Sequence, residues 1–168
     1  MRDPFANILA RLVATEVDFV VVGGVAVNAH GFRRATLDLD LIVRFDHSNV
    51  VALADSLREC GFSPRMPVDP VELSIAETRA QWKTRNMVVL SFIEGKSPFS
   101  VVDIFIDHPI DYDLLIQEAM PVAYDGIDIR ICGIQHLIDL KEKAARPKDL
   151  QDLKFLYEIL DQQKEGLR

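Results

Sequence analysis

Cysteine is nearly missing from this chain. Cys60 and Cys132 are the only two among 168 residues. They lie far apart and without metal-ligand spacing, so they read as small core or cap residues rather than a disulfide or a zinc site. Long apolar runs are missing as well. No stretch of about eighteen uncharged apolar residues occurs, and a start carrying Asp3 and Pro4 does not read as a signal peptide. The expectation is a cytoplasmic protein with no membrane partner. Basic residues are in deficit, with 19 Lys and Arg against 26 Asp and Glu, a net charge of −7. That argues against indiscriminate nucleic-acid binding, which requires neutralising a phosphate backbone, although net charge can hide a local basic patch. No repeat, linker or low-complexity tract appears.

What is present is enough for one compact domain. A hydrophobic content of 49% over this length supports a sizeable core. A single domain over 1–168 is expected, with a core over about 1–132 and a C-terminal helical pair over about 133–168.

The chemistry-bearing residues begin at Val20-Val21-Val22-Gly23-Gly24, followed after thirteen residues by Asp38-Leu39-Asp40. A strand that ends in two glycines lets a phosphate approach backbone N–H groups at a helix start. In an extended strand, Asp38 and Asp40 point to one face and Leu37, Leu39 and Leu41 to the other. Carboxylates so spaced lie roughly 6.5 to 7 Å apart. Their repulsion is about 2.4 kcal/mol at an effective dielectric of about 20, against about 0.6 kcal/mol in open water. In a cleft such a pair wants a cation, and hard oxygen ligands suit Mg²⁺ better than zinc.

A third carboxylate would complete a two-ion site. Asp103, in the apolar run Ser100-Val101-Val102-Asp103-Ile104-Phe105-Ile106, is the best candidate, because an unpaired carboxylate inside an apolar strand is costly. Asp107, at the strand end, is a weaker one.

This order of motifs resembles the DNA polymerase beta-like nucleotidyltransferase superfamily, whose pattern is hydrophobic-Gly-Gly, a spacer, Asp-x-Asp and a later strand Asp. Arg33-Arg34-Ala35-Thr36-Leu37-Asp38-Leu39-Asp40 looks like the Arg-x-Thr-x-Asp-x-Asp version of small prokaryotic members. Lys141-Glu142-Lys143-Ala144-Ala145-Arg146-Pro147-Lys148-Asp149-Leu150-Gln151-Asp152 resembles a C-terminal segment of the abortive-infection branch, which includes toxin-antitoxin nucleotidyltransferases. The resemblance implies an α/β (α+β) nucleotidyltransferase fold, a mixed sheet with packed helices. It implies Asp38, Asp40 and Asp103 as catalytic and metal-binding residues for two Mg²⁺ ions, with Mn²⁺ as an alternative. Gly23 and Gly24, Arg33 or Arg34, Thr36 and Lys148, with Lys143 as a fallback, would bind a nucleoside triphosphate such as ATP. The acceptor hydroxyl stays open among an RNA end, a protein and a small molecule. A small regulatory protein partner would accompany a toxin role. A non-catalytic nucleotide- or partner-binding module on the same fold is the alternative. His30 reads as a helix-end residue, and Arg79, Lys83 and Arg85 read as a solvated helix face.

Periodicity and turn signals place the elements. Asp3 and Pro4 open an amphipathic helix through Phe5, Ile8, Leu9 and Leu12. Phe19 to Val22 is a strand, followed by a helix to about Ala29. Leu37 to Val43 is the acidic strand, and Ser48 caps a helix closed by Gly61. A loop runs over 63–69, and Asp69-Pro70 opens another helix. Met87 to Ile93 pairs with Phe99 to Ile106. After a helix near Asp111 to Glu118, a hairpin turns at Asp125-Gly126. Helices over about 134–145 and 148–160 end the chain.

Overall fold

A computed structural model describes residues 5–95 and 100–166. The opening helix α1 covers Ala6–Ala14, with Phe5 before it and Ile8, Leu9 and Leu12 buried at helical spacing. Asp3 and Pro4, expected to start it, lie outside the described residues. Strand β1 (Phe19–Val22) is four apolar residues buried on both faces, as a strand at the middle of a sheet must be. It runs directly into α2 (Gly23–Ala29), and β2 (Asp38–Val43) comes next.

Helix α3 (His47–Glu59) starts two residues earlier than a Ser48 cap allows. Asp46 precedes it, and its carbonyl accepts the Val50 N–H at 3.0 Å. The stretch after it is not all loop. Phe62–Pro64 form β3, a short strand that can end in proline because it stands at the sheet edge, where no ladder donor is needed from Pro64. Asp69 does act as a cap, accepting the Val71 N–H at 3.0 Å, but it opens a single 3-10 turn, Pro70–Ser74, before the true helix α4 (Ala76–Thr84).

Strands β4 (Val89–Glu94) and β5 (Val101–Phe105) pair antiparallel as expected. Phe99, expected within the second of them, lies outside the described residues. After α5 (Tyr112–Gln117) come β6 (Met120–Tyr124) and β7 (Ile127–Ile131). Asp125 and Gly126 both have positive φ, the combination a tight two-residue hairpin turn requires. Helices α6 (Ile134–Ala144) and α7 (Asp149–Gly166) close the chain, the second running past the expected end at residue 160.

The seven strands form one mixed sheet in the order β3-β4-β5-β2-β1-β7-β6. β2 and β5 are parallel, as are β1 and β7; the other neighbours are antiparallel. Leu39, Leu41, Leu90, Phe92, Val102 and Ile104, all on one face, are fully or almost fully buried and join Leu9, Leu12, Leu53 and Leu57 in a single core. One expectation fails at the edge of this face. Leu37 precedes the strand and is 59% exposed, because the alternation that buries Leu39 and Leu41 begins only at Asp38.

Candidate functional site

Alternation along β2 sends Asp38 and Asp40 away from the core formed by Leu39 and Leu41. Register then decides whether Asp103 joins them. In the parallel pairing of β2 with β5, Asp40 stands opposite Asp103 and Asp38 opposite Val101. Directly opposed residues on adjacent strands share a face, so all three aspartates lie on the same side of the sheet. They form a row rather than a cage. Among the described residues, no three acidic, histidine or cysteine groups are gathered closely enough to hold one metal ion as the side chains stand.

The diglycine lies against this row. Gly23 has φ +62°, and a Cβ placed on it would fall 1.9 Å from Asp40 Oδ2. Both facts demand glycine: the left-handed backbone and the lack of room. At Gly24 the φ is ordinary, but an added Cβ would sit 2.6 Å from Thr36 Oγ1 and 3.1 Å from Arg34 Nη2. The turn after β1 is therefore walled by Asp40, Thr36 and Arg34.

Electrostatics mark Asp40 as the stressed member. Burial, with the charges of Asp103 and Asp38 adding to it, pushes its carboxyl up from 3.8 to about 6. Arg146 and Lys141 pull the other way. Asp103 is raised too, first by burial and then by Asp38; the Ser91 hydroxyl counters this, donating to Asp103 Oδ1 at 2.5 Å, and the charges of Arg65 and Lys148 act in the same lowering sense. Hard carboxylate oxygens packed side by side, one of them holding its proton up to about pH 6, are a donor set that suits a divalent cation with oxygen preference.

Beside the row, the two C-terminal helices carry a buried ion network. Lys141 Nζ donates to Asp149 Oδ1 at 3.1 Å and Asp152 Oδ2 at 2.7 Å, all three side chains being nearly inaccessible. Arg34 approaches the two oxygens of Asp152 with Nε at 2.8 Å and Nη2 at 2.9 Å, a two-pronged pairing. Arg146 does the same for Asp149, with Nε 2.8 Å from Oδ2 and Nη2 3.3 Å from Oδ1. Through Asp152, α7 thus fixes the guanidinium that borders Gly24.

The candidates from the sequence fall into two sets. Asp38, Asp40, Asp103, Gly23, Gly24, Arg34 and Thr36 are brought together. Lys148 is exposed but close enough for its charge to act on Asp103. Arg33 is exposed on the other alternation from Arg34, and the charge of Lys143 acts on Asp107. Sequence reasoning assigned no role to Ser91, Arg65 or Asp152. The signal for Ser91 was available, a hydroxyl alternating between Leu90 and Phe92; for Arg65 there was none without the register.

A cavity of about 520 Å³ opens elsewhere, past the other end of β2, lined by Arg44, Phe45, Arg79, His108 and Tyr112 among others. Its size does not make it the reactive centre. Arg79 stacks over Phe45 and Arg44 over Tyr112, and Arg44 also pairs with Asp18 and Asp113, so the cations there are occupied in holding the fold.

Comparison with solved structures identifies this architecture. ANT(2'')-Ia in complex with adenylyl-2''-tobramycin superposes with a TM-score of 0.62 at 16% identity, over 96% of this chain and 90% of that one. The lincosamide antibiotic adenylyltransferase LnuA with lincomycin bound gives 0.62 at 13%, over 95% and 98%. A putative nucleotidyltransferase from Thermotoga maritima gives 0.55 at 17%, over 90% and 89%. At such identities the likeness establishes the nucleotidyltransferase fold and nothing finer. No curated protein matches the sequence significantly. The family model described as nucleotidyl transferase of unknown function (DUF2204) matches residues 1–168, and the chain belongs to that family.

Proposed function

We propose that this single-domain protein is a Mg²⁺-dependent nucleotidyltransferase that moves a nucleoside monophosphate from a nucleoside triphosphate to a hydroxyl of an acceptor. The observation that carries this is the pairing of Asp40 with Asp103 across β2 and β5, with Gly23 directly beneath the Asp40 carboxylate. Asp38, Asp40 and Asp103 are the residues that would hold divalent ions. Such ions, when bound, offset phosphate charge and make a hydroxyl more acidic.

The chain's own groups do the rest. Gly23 and Gly24 leave room for phosphates to approach the backbone, and Arg34, braced by Asp152, together with Thr36 faces the same turn. Asp103, which accepts a hydrogen bond from the Ser91 hydroxyl, would take the proton of the acceptor hydroxyl. The hydroxyl oxygen bonds to the α-phosphorus, the bond to the leaving oxygen breaks, and pyrophosphate departs. Positioning and electrostatics dominate, as in phosphoryl transfer generally. The structural neighbours that carry an adenylylated or bound antibiotic support transfer to an acceptor of small-molecule size. An RNA end or a protein acceptor, and a toxin role with a regulatory partner, rest on the C-terminal motif alone.

The test is incubation with each radiolabelled nucleoside triphosphate, Mg²⁺ and cellular RNA, protein or small molecules, for the native chain and the Asp38→Asn, Asp40→Asn double variant. Label transfer should require Mg²⁺ and vanish in the double variant. Equal transfer by the variant would remove these aspartates from the reaction.

A further inference from the structure

The register of four strands makes a path that leads away from the aspartates. Asp40 on β2 opposes Asp103 on β5, and Asp103 opposes Ser91 on β4. The antiparallel pairing of β3 with β4 matches Phe62 to Glu94, Ser63 to Ile93 and Pro64 to Phe92. One residue further, the Arg65 N–H donates to the Ser91 carbonyl at 2.8 Å and continues that ladder. The row is therefore Asp40, Asp103 and Ser91 on one face, with Arg65 just past the end of β3 and near enough for its charge to act on Asp103. The parallel row beside it is Asp38, Val101, Ile93, Ser63. Alternate residues point the same way, so this is a half-exposed platform on the far side of the sheet from the core, apolar at Val101 and Ile93 and ending in a cation.

Arg65 is exposed, and among the described residues no carboxylate pairs with it, unlike Arg34, Arg44, Arg58 and Arg146. The triphosphate side of the site, marked by Gly24, Thr36 and Arg34, lies across β2 toward β1. Arg65 stands on the opposite side, beyond Asp103. Two strand spacings separate it from β5, about 10 Å.

From this row we infer that the acceptor lies along β5, β4 and β3 and carries a phosphate that Arg65 grips within about 10 Å of the reacting hydroxyl. The inference rests on the nucleotidyltransferase reading and narrows its acceptor to a phosphate-bearing hydroxyl compound. The phosphate has two sources, the backbone of a nucleic-acid end or a small phosphorylated sugar.

The experiment measures Mg²⁺-dependent pyrophosphate release from the four nucleoside triphosphates with a short RNA bearing a free 3′ hydroxyl, ribose 5-phosphate, ribose and tobramycin, for the native chain, Arg65→Glu and Arg65→Lys. Binding of a non-hydrolysable triphosphate is followed separately. The native chain should use a phosphate-bearing acceptor and prefer it to ribose and tobramycin; RNA against ribose 5-phosphate tells the source. Arg65→Glu should lower kcat/KM for that acceptor about ten- to a hundredfold, the loss of one charge-assisted contact, and Arg65→Lys should restore most of it. Triphosphate binding should change far less than kcat/KM for that acceptor. Preference for ribose or tobramycin, equal losses with charged and uncharged acceptors, or no release with either phosphate-bearing acceptor while the triphosphate still binds would each overturn the inference. Failure of the native chain to bind the triphosphate with Mg²⁺ would instead remove the reading beneath it.

Discussion

Replacing Asp40 by asparagine should stabilise the metal-free protein at neutral pH while abolishing its activity. In the folded chain the carboxyl is raised from 3.8 to about 6 by burial and by its two acidic neighbours. A carboxyl raised on folding favours the protonated form, so the native state is relatively most stable below about pH 4. The penalty grows as pH rises and is complete above about pH 6. The difference corresponds to about 3 kcal/mol, and because Asp40 keeps some exposure to solvent, about 2 kcal/mol is the fairer figure. For a chain of this size that is a rise of about 4 to 8 °C in Tm for Asp40→Asn at pH 7.5. The measurement is thermal unfolding of both proteins in EDTA from pH 4 to 8. Their curves should meet near pH 4 and separate through pH 6. Millimolar Mg²⁺ should then raise the native protein and leave the variant unmoved, since a ligand stabilises only the state that binds it. Curves that stay parallel across the whole range in EDTA would refute the reasoning, because Asp40 would then titrate as an ordinary surface carboxyl.

Gly23→Ala places a Cβ in a left-handed backbone and against the Asp40 carboxylate; it should cost about 1 to 2 kcal/mol from the backbone alone, lower Tm by about 2 to 8 °C, and cut nucleotide transfer far more than Gly24→Ala. Asp152→Ala leaves Lys141 buried without one partner and frees Arg34; a loss of about 3 to 5 kcal/mol in urea unfolding is expected, together with weaker triphosphate binding. Ala145 has φ 50° at the turn between α6 and α7, so Ala145→Gly should raise stability by about 1 kcal/mol in the same assay, glycine carrying no steric penalty there.

The aspartate row was legible because alternation in a strand is a strict rule. Once Asp38 and Asp40 are given a strand, their common face is fixed, and the apolar neighbours of Asp103 show that it sits in another. What alternation leaves open is register, since a slip of one residue would send Asp103 into the core face. The short β3 strand shows the limit more sharply. Pro64 and Pro67 are loop signals, yet Pro64 is tolerated at a sheet edge, and only that edge brings Arg65 level with Ser91. Leu37 misled for the opposite reason, an apolar residue in phase with the strand but one position before the pairing begins. Charged residues in the C-terminal pair looked like solvated helix surface or phosphate ligands. Lys141, Asp149 and Asp152 are instead interior, and the rule that charges stay outside gives way where each finds partners across two helices and a loop.

That interior network also explains why the acidic row can exist in a net-negative protein before any cation binds. Three cations, Lys141, Arg34 and Arg146, face two carboxylates, Asp149 and Asp152, leaving one positive charge in excess. The excess is felt at Asp40, where Arg146 and Lys141 are the groups that oppose its raised carboxyl. The C-terminal helices therefore act on the site in two ways. They hold Arg34 at the diglycine turn, and they offset part of the repulsion among aspartates 38, 40 and 103. Full compensation would make the row indifferent to a divalent ion, and no compensation would leave the apo fold carrying the whole penalty. Arg65 and Lys148 act in the same sense on Asp103, yet both carboxyls stay raised, so the offset is partial and the row keeps its demand for divalent cations.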